Sequence, residues 1–292
     1  MAPPREALTR RQALYRMPQG RETVKGEKEV RDSASAVDLV GESYWNREWA
    51  GRSLRRALDL RNYVHARFDS FFRRQLCGVA GDLLEIGCAG SLWLPYFHQR
   101  FGLRVFGIDY SPLGCRQAEE VLAAHGVAGT IWCRDIFAPN EDLRSRFQVV
   151  FSYGVAEHFS PPEALLARAR DLCAPGGIVL TVIPNMTGLP GLVQRVVDRD
   201  VFHRHVPLNL SELGSAHRAC GLTLREATPL GSFSWGVVKY PPRGLWPRTI
   251  RRLYKIGSLL AWRVFRITGW RPETAWFSPY FVCAAAVPCD LR

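Results

Sequence analysis

The sequence has no long apolar run. No segment contains the roughly 20 consecutive apolar residues that a membrane-spanning helix requires. Residues 1–31, rich in Arg, Lys, Glu, Gln and Pro, also lack the apolar core of a signal peptide. We therefore expect a cytoplasmic protein, with peripheral attachment to a membrane as an open alternative.

The cysteines lack the spacing of metal or redox motifs. All eight are scattered along the chain and none forms a C-x-x-C pair. We expect most of them to be small buried side chains in a reducing compartment. His203 and His205 flank an arginine, but no third ligand accompanies them in the sequence, so no metal site is predicted.

Length and composition predict one α/β domain with additions. The chain has 292 residues, of which 47% are hydrophobic. Residues 1–40 predict a disordered or weakly helical arm, residues 41–78 a helical N-terminal segment, and residues 79–292 the main domain.

The most informative pattern is a strand, a tight turn and a helix start at residues 83–91, with the sequence Leu-Leu-Glu-Ile-Gly-Cys-Ala-Gly-Ser. A second strand, residues 105–109, ends in Asp109 about one βα unit later. Doubly wound α/β folds bind nucleoside cofactors with this spacing, because small residues let the backbone approach the ligand and the acid accepts hydrogen bonds from the ribose hydroxyls.

The sequence of the turn helps to distinguish two nucleoside cofactors, a nicotinamide dinucleotide and S-adenosylmethionine. A pyrophosphate-binding loop uses G-x-G-x-x-G, which residues 87–92 lack. Glu85 directly precedes the turn, where a carboxylate would repel a pyrophosphate and attract the ammonium group of a methionine moiety. The pattern therefore favours S-adenosylmethionine over a nicotinamide dinucleotide.

Five short patterns in this order resemble the class I S-adenosylmethionine-dependent methyltransferases of the small-molecule type. They are E-x-G-C, G-I-D-Y-S, R-D-I-F, G-V-x-E-H-F and A-P-G-G, and they cover about residues 80–185. The resemblance implies a Rossmann-like α/β fold. Its seven-stranded sheet would be mostly parallel, with an antiparallel C-terminal edge strand at residues 276–286 and helices on both faces.

The resemblance also implies a cofactor site. The methionine end would contact Glu85, Gly87 and Cys88, and Asp109 would hold the ribose. Tyr110 would pack on the adenine, and Asp135 and Ile136 would recognise its edge. Ala89 replaces a glycine found in many relatives and is small enough to keep the turn. Ser152, in the fourth strand (residues 147–154), completes the set.

Catalysis requires alignment of a nucleophile with the S–CH₃ bond and, for a hydroxyl acceptor, a base. His158 directly follows the fourth strand and is our first candidate for this base. Glu157 would orient it or bind substrate, and Tyr153 would touch the cofactor or polarise the acceptor. The alternative is that Glu157 and His158 only brace the following helix.

Substrate contacts are predicted on two segments. In similar methyltransferases the segment before the first strand covers the cofactor as a lid, so residues 41–78, with Tyr44 and Trp45, would serve as a lid or only anchor helices to the sheet. Asn185 lies in a loop rich in Pro and Gly after the fifth strand, where ligands bind in open α/β sheets. His203 and His205 follow as further substrate contacts or reserve bases.

A basic helical insertion is predicted at about residues 243–271. Nine basic residues and no acidic one lie between Glu226 and Glu273. At 100° per residue, five of the basic side chains fall in an arc of about 120°, and five apolar side chains lie outside it. Such a helix can lie on an anionic membrane or contact a lipid-linked substrate, or it can pack on the sheet or a partner with its basic face in water.

These observations predict methyl transfer to a small molecule, most plausibly at oxygen, with a sugar, an aromatic or a lipid-linked precursor as acceptor. The net charge of +12 leaves a nucleic-acid methyltransferase open. Against it, residues 152–155 lack the Asn/Asp-Pro-Pro-Tyr motif of enzymes that methylate nucleic-acid amino groups. A noncatalytic binding domain is the third hypothesis.

Overall fold

The computed structural model describes residues 36–50, 57–234, 236–240, 245–270 and 272–289, without the side chains of residues 245–248 and 254. The predicted N-terminal arm lies outside these residues up to position 35. So do Arg243, Arg271 and residues 51–56 of the predicted helical N-terminal segment.

A sheet of seven strands forms the centre of the fold, and a ribbon of two short strands lies apart from it. The strands are β1 (Val37–Asp38), β2 (Asp82–Ile86), β3 (Arg104–Asp109), β4 (Gly129–Cys133), β5 (Phe147–Tyr153), β6 (Phe159–Ser160), β7 (Cys173–Pro184), β8 (Thr223–Leu230) and β9 (Tyr280–Ala286). The ribbon pairs β1 with β6.

The large sheet has the order β4-β3-β2-β5-β7-β9-β8. Strands β4 to β7 in this order are parallel, and β9 is antiparallel to both of its neighbours. The predicted seven-stranded, mostly parallel sheet is thus confirmed. In chain order, β2, β3 and β4 lie progressively farther toward one edge, whereas β5 and β7 lie progressively farther toward the other. The strand order therefore reverses between β2 and β5, and the carboxyl ends of these two strands flank the crevice where such sheets bind ligands.

The C-terminal strand is antiparallel, as expected, but it is not the edge strand. The residues Phe281–Ala285 of β9 are completely buried, which suits a strand covered on both faces. Strand β8 lies outside it, and its residues from Thr223 to Pro229 are exposed or half-buried, which suits an edge strand.

Helices cover both faces of the sheet. They are α1 (Glu42–Ala50), α2 (Tyr63–Gln75), α3 (Trp93–Phe101), α4 (Pro112–Ala124), α5 (Glu163–Leu172), α6 (Leu189–Val197), α7 (Arg199–His203), α8 (Leu210–Ala219) and α9 (Leu245–Thr268). On one face an aromatic cluster joins α2 and α3 to β5, with Phe72 against Phe97 and Phe151. On the other, Leu165 and Leu166 of α5 join the core beside Val150.

The predicted basic helix corresponds to α9. Its inner side contacts the loop after β8 and the start of α2, since Trp262 stacks on Tyr63 with ring centroids 6.1 Å apart and donates to the Phe233 carbonyl. Within the described residues, neither α9 nor any other helix combines the length and the apolar character needed to cross a bilayer.

Candidate active site

A cavity of about 1350 Å³ lies at the carboxyl ends of β2, β3 and β5. It reaches from the turn after β2 to the inner side of α9, with Gly87 in the turn and Trp262 on the helix. This is the crevice that the sheet order predicts. Its volume exceeds that of a drug-sized ligand pocket, so it has room for a nucleoside cofactor and an acceptor together.

The turn after β2 is shaped for close ligand approach. Gly87 has a φ of 74°, and a Cβ there would come within 2.5 Å of Val155. The Ala89 side chain fits in the turn because the facing residue of α4 is Gly114. A Cβ at position 114 would lie 2.4 Å from the Ala89 Cβ. The helix therefore supplies the space that the loop lacks, which explains how the turn is kept without the usual glycine.

Two carboxylates brace this turn and line the cavity. Asp109 accepts hydrogen bonds from the backbone N–H groups of Ala89 at 3.1 Å and Ser111 at 2.8 Å. Glu85 accepts one from the Ser91 hydroxyl at 2.6 Å. Burial, with Asp109 nearby as a further cause, raises the pKa of Glu85 to about 8, and burial raises the pKa of Asp109 as well.

The predicted cofactor residues divide into two groups. Six of them line the cavity: Glu85, Gly87, Ala89, Asp109, Tyr110 and Ile136. The Tyr110 hydroxyl donates to Asp38 in β1 at 3.0 Å, and burial followed by this neighbouring acid raises the pKa of Tyr110. An acid at the ribose position, another at the ammonium position and a glycine cradle fit S-adenosylmethionine.

Three predicted cofactor side chains do not line the cavity, and each has a physical reason. Cys88 is completely buried, and its sulfur would lie 2.5 Å from a Cβ placed on Gly107, so its side chain packs against β3. Asp135 is exposed because β4 ends two residues before it, and it accepts from the Phe137 backbone. Ser152 is buried within β5. These placements do not support a cofactor contact through the three side chains, and their part in cofactor binding stays a prediction.

The predicted catalytic residues all line the cavity. Tyr153 ends β5, and Glu157 and His158 lie on the 3₁₀ turn Ala156–His158 that follows. His205, from the loop after α7, meets His158 with ring centroids 4.6 Å apart. Glu157 Oε1 lies 3.8 Å from His158 Nε2, and the second oxygen, Oε2, is buried without a hydrogen-bond partner among the described residues.

Backbone carbonyls fix the orientation of both histidines. His158 Nδ1 lies 2.7 Å from the Arg204 oxygen, and His205 Nδ1 lies 2.7 Å from the Val201 oxygen. Each Nδ1 therefore carries the proton, and each Nε2 presents a lone pair. Burial lowers the pKa of His158 to about 3 and that of His205 to about 4, and raises that of Glu157 to about 8.

The predicted substrate residues are only partly brought together. Trp45 and His205 line the cavity, whereas Tyr44, Asn185 and His203 do not. The Asn185 amide donates to the Ala275 and Ser278 carbonyls and accepts from the loop that follows it, so it holds that loop in shape. His203 is exposed and pairs with Arg199, and Tyr44 packs under Lys239 and Arg204. These contacts give no support for substrate contact by the three residues, which stays a prediction.

Several cavity residues were missed by sequence reasoning. Lys239 donates to Glu48 and to the Tyr44 hydroxyl, both at 3.1 Å, and lies over the Trp45 ring. From α9, Arg251 and Lys255 line the cavity. Their i, i+4 spacing was visible in the sequence, but we expected this helix to contact a membrane or a lipid-linked substrate, or to keep its basic face in water, and did not assign individual residues to the cavity.

Helix α1 lies beside the part of the cavity lined by Ala89 and Asp109, which we call the cofactor half. Asn46 accepts from the Ser111 hydroxyl at 2.6 Å, and the Trp49 carbonyl accepts from Gln117 at 3.0 Å. A Cβ on Gly90 would lie 3.3 Å from the Trp49 ring. The lid role of residues 41–78 stays a prediction, which these contacts to the cofactor loops support.

The raised pKa of Glu85 predicts a pH-dependent cofactor affinity. The carboxyl is protonated below pH 8 in the free protein, whereas pairing with an ammonium group requires its ionised form. Binding should therefore release about one proton, and affinity should rise by up to about tenfold per pH unit between pH 6 and 8. Calorimetry at pH 7 in two buffers of different ionisation enthalpy measures this release.

The matched variant for this prediction is Glu85→Gln, which keeps the shape of the side chain but cannot ionise. It should bind S-adenosylmethionine more weakly at pH 8, with a flatter dependence on pH. Equal proton release in both proteins would contradict the assignment of Glu85 to the ammonium group.

Comparison with known proteins agrees with this geometry. The family described as "Methyltransferase domain" matches residues 52–227, more than half of the chain. A ubiquinone biosynthesis O-methyltransferase from Methylobacterium nodulans is 27% identical over 230 residues, which cover 74% of this chain and 88% of that protein. A ribosomal RNA small subunit methyltransferase C from Aeromonas hydrophila is 28% identical over 116 residues, which cover 38% of this chain and only 33% of that protein.

Solved structures agree on the fold. The geranyl diphosphate C-methyltransferase of Streptomyces coelicolor, in complex with Mg²⁺, geranyl diphosphate and S-adenosyl-L-homocysteine, superposes with a TM-score of 0.56 at 13% identity. The alignment covers 87% of this chain and all of that one. The chain therefore belongs to the methyltransferase domain family and is a class I S-adenosylmethionine-dependent methyltransferase.

Proposed function

We propose that the protein transfers the methyl group to an oxygen atom of a small acceptor that carries an apolar chain, and that α9 holds the active site at an anionic membrane surface. The observation that carries the proposal is the outer face of α9, which is apolar, exposed and adjacent to the cavity. The ubiquinone biosynthesis O-methyltransferase among the relatives supports both the oxygen and the apolar chain.

The outer face of α9 is defined by six side chains within an arc of about 140° at 100° per residue. Each is exposed by between 48% and 85%: Leu253, Ile256, Leu259, Leu260, Val264 and Ile267. Soluble monomers rarely expose a contiguous apolar patch of this kind without a partner. The opposite face of the helix packs inward through Ser258 and Phe265.

Basic side chains give this face its preferred partner. Arg252 and Arg263 lie near one edge of the arc, and Arg266 adjoins it. An apolar face flanked by arginines suits the boundary between anionic headgroups and acyl chains. We therefore commit to an anionic lipid surface as the partner of the outer face.

Helix α9 also connects this face to the cavity. Leu259 belongs to both, since it lines the cavity and is 48% exposed. Trp262 and Lys255 extend the lining. An acceptor with an apolar chain would enter past these side chains while its hydroxyl group reaches the residues at the end of β5.

In this reaction the protein would position the two reactants, exclude water and control the hydroxyl proton. S-adenosylmethionine supplies an electrophilic methyl group. Asp109 and Glu85 would hold the cofactor, and Trp45 and Trp49 would exclude water from the methyl group. His158 Nε2 presents its lone pair at the acceptor end of the cavity and would receive or stabilise the hydroxyl proton.

The test of the proposed reaction is transfer of a radiolabelled methyl group from S-adenosylmethionine to a panel of acceptors. The panel contains a hexose, catechol, a polyprenyl catechol in phosphatidylglycerol vesicles, and ribosomal RNA. We expect the polyprenyl catechol to be methylated fastest, at oxygen. Label in RNA would favour a nucleic-acid methyltransferase, the activity named for the ribosomal RNA relative. Transfer only to the hexose would contradict the proposal that the acceptor carries an apolar chain.

The membrane contact is tested by flotation of the full chain with vesicles. We expect binding to vesicles that contain phosphatidylglycerol and little binding to phosphatidylcholine alone. The variant Ile256→Gln/Leu260→Gln removes two half-exposed apolar side chains, worth roughly 1–2 kcal/mol together in burial, so vesicle affinity should fall about tenfold.

The matched control is Val37→Gln, which changes a side chain of similar exposure on the β1–β6 ribbon. It should float as the unchanged protein does. Sedimentation on the same samples detects self-association. Loss of a dimer rather than of vesicle binding in the double variant would identify a second copy as the partner and contradict the lipid assignment.

A further inference from the structure

Three side chains at the acceptor end of the cavity have the composition of a metal site. Glu157, His158 and His205 each present one donor atom, and these atoms all lie within 4.8 Å of one another. His205 lies 47 residues after His158 in the sequence, so the fold brings the three side chains together. The sequence contains no motif of ordinary ligand spacing at these positions, so no metal site was predicted there.

The orientation of the histidines favours ligation. Both rings have Nδ1 at 2.7 Å from a backbone carbonyl, which leaves the two Nε2 lone pairs for the cluster. Metal-bound histidines almost always donate their other ring N–H to a carbonyl or carboxylate in this way. Both rings are therefore already held as neutral ligands.

The carboxylate supplies a second, independent observation. Glu157 Oε2 is buried and has no hydrogen-bond partner among the described residues. Lys239 is nearby but donates to Glu48 and Tyr44 in the described structure. A buried carboxylate oxygen without a partner is costly, and a cation between it and the two Nε2 atoms would satisfy it.

We infer that Glu157, His158 and His205 bind one divalent transition-metal ion, of which zinc fits the donors best, with its open positions toward the acceptor. Two imidazoles and one carboxylate form a common ligand set of catalytic zinc. A tetrahedral ion with bonds of about 2.1 Å needs donors about 3.4 Å apart. Glu157 Oε1 and His158 Nε2 are 3.8 Å apart, and the three donor atoms lie within 4.8 Å of one another. Side-chain rotations that shorten these separations and turn one carboxylate oxygen toward the two imidazoles would complete the site.

The role of this ion in catalysis rests on the proposed function, whereas its binding does not. An ion at this position lowers the pKa of an acceptor hydroxyl that coordinates it. The O–H proton then passes to water, and the oxygen keeps its electron pair for attack on the methyl group. This chemistry compensates for the weak basicity of the buried histidines.

The test is titration of the chelator-treated full chain with Co²⁺, followed by visible absorption and by metal analysis after gel filtration. We expect one equivalent to bind, with d–d bands of a low-coordinate nitrogen and oxygen site. Glu157→Gln and His205→Gln should each weaken binding at least about tenfold, since even outer partners of a ligand are worth this much.

The control is His203→Gln, two residues from His205 but exposed and outside the cavity. It should bind Co²⁺ as the unchanged chain does. Absence of stoichiometric binding, equal affinity in the His205→Gln variant, or an intense near-ultraviolet thiolate band from cysteine ligation would each overturn the site. Calorimetry with S-adenosylmethionine on the same samples shows whether the methyltransferase pocket is intact, so that a failed metal site is distinguished from a failed enzyme.

Discussion

Replacement of Asp109 by alanine is expected to weaken S-adenosylmethionine binding about 100-fold or more. Hydrogen bonds from ribose hydroxyls to a buried carboxylate contribute about 1.5–3 kcal/mol each. Two such bonds correspond to a factor of about 100 or more in the dissociation constant. Asp109 also accepts from the Ala89 and Ser111 backbone, so its loss loosens the cofactor turn as well.

Asp109→Asn separates these two contributions. The amide oxygen can keep one backbone hydrogen bond, so this variant should retain the turn and lose less affinity than the alanine variant. The control is Asp142→Ala, which removes an equal charge from an exposed surface pair with Arg134. Calorimetric titration gives the affinities and a thermal melt tests the fold. Tight binding by a folded Asp109→Ala protein would contradict the ribose assignment.

The cofactor half of the site could be predicted because its signal is local. Glu85, Gly87 and Asp109 lie on two neighbouring strands or at their ends, and the spacing of one βα unit fixes their positions. Asp135 differs from them, because β4 ends at Cys133 and Asp135 lies two residues beyond the strand, exposed and outside the cavity lining. The end of a strand is therefore the feature on which such a prediction depends most.

In the half of the cavity that we assign to the acceptor, individual residues such as Glu157 and His158 were predicted. Their arrangement could not be predicted, because distant segments form it. His205 meets His158 through a loop after α7, and Lys239 reaches Tyr44 and Glu48 across almost 200 residues of sequence. No periodicity or short motif connects these positions. The placement of β9 inside β8 illustrates the same limit, because only burial on both faces distinguishes the inner strand from the edge.

The outer face of α9 shows where sequence patterns are ambiguous. Leu253, Ile256 and Leu260 lie outside the basic arc, and such an apolar side usually packs inward. In the structure it faces outward, whereas Arg251 and Lys255 line the cavity. The helical pattern separated most of the apolar side chains from the basic ones, apart from Leu259, which lies among the basic residues at 100° per residue. The direction in which each face points depends on the rest of the fold.

Replacement of His158 by glutamine is expected to lower turnover about 100- to 10,000-fold, the range for loss of a group that controls a proton in the transition state. The affinity for S-adenosylmethionine should stay nearly unchanged, because His158 contacts His205 and Trp45 in the part of the cavity that we assign to the acceptor. Methyl transfer to the best acceptor of the panel gives kcat and KM. The control is His203→Gln, which should keep full turnover.

The pattern across the cluster distinguishes a free base from a metal ligand. A free base would make His158→Gln severe, with smaller losses in Glu157→Gln and His205→Gln. Ligands of one ion act as a unit, so all three variants should lose similar activity, and combining them should cost little more than one alone. Unchanged turnover in His158→Gln would return Glu157 and His158 to the role of bracing the segment after β5.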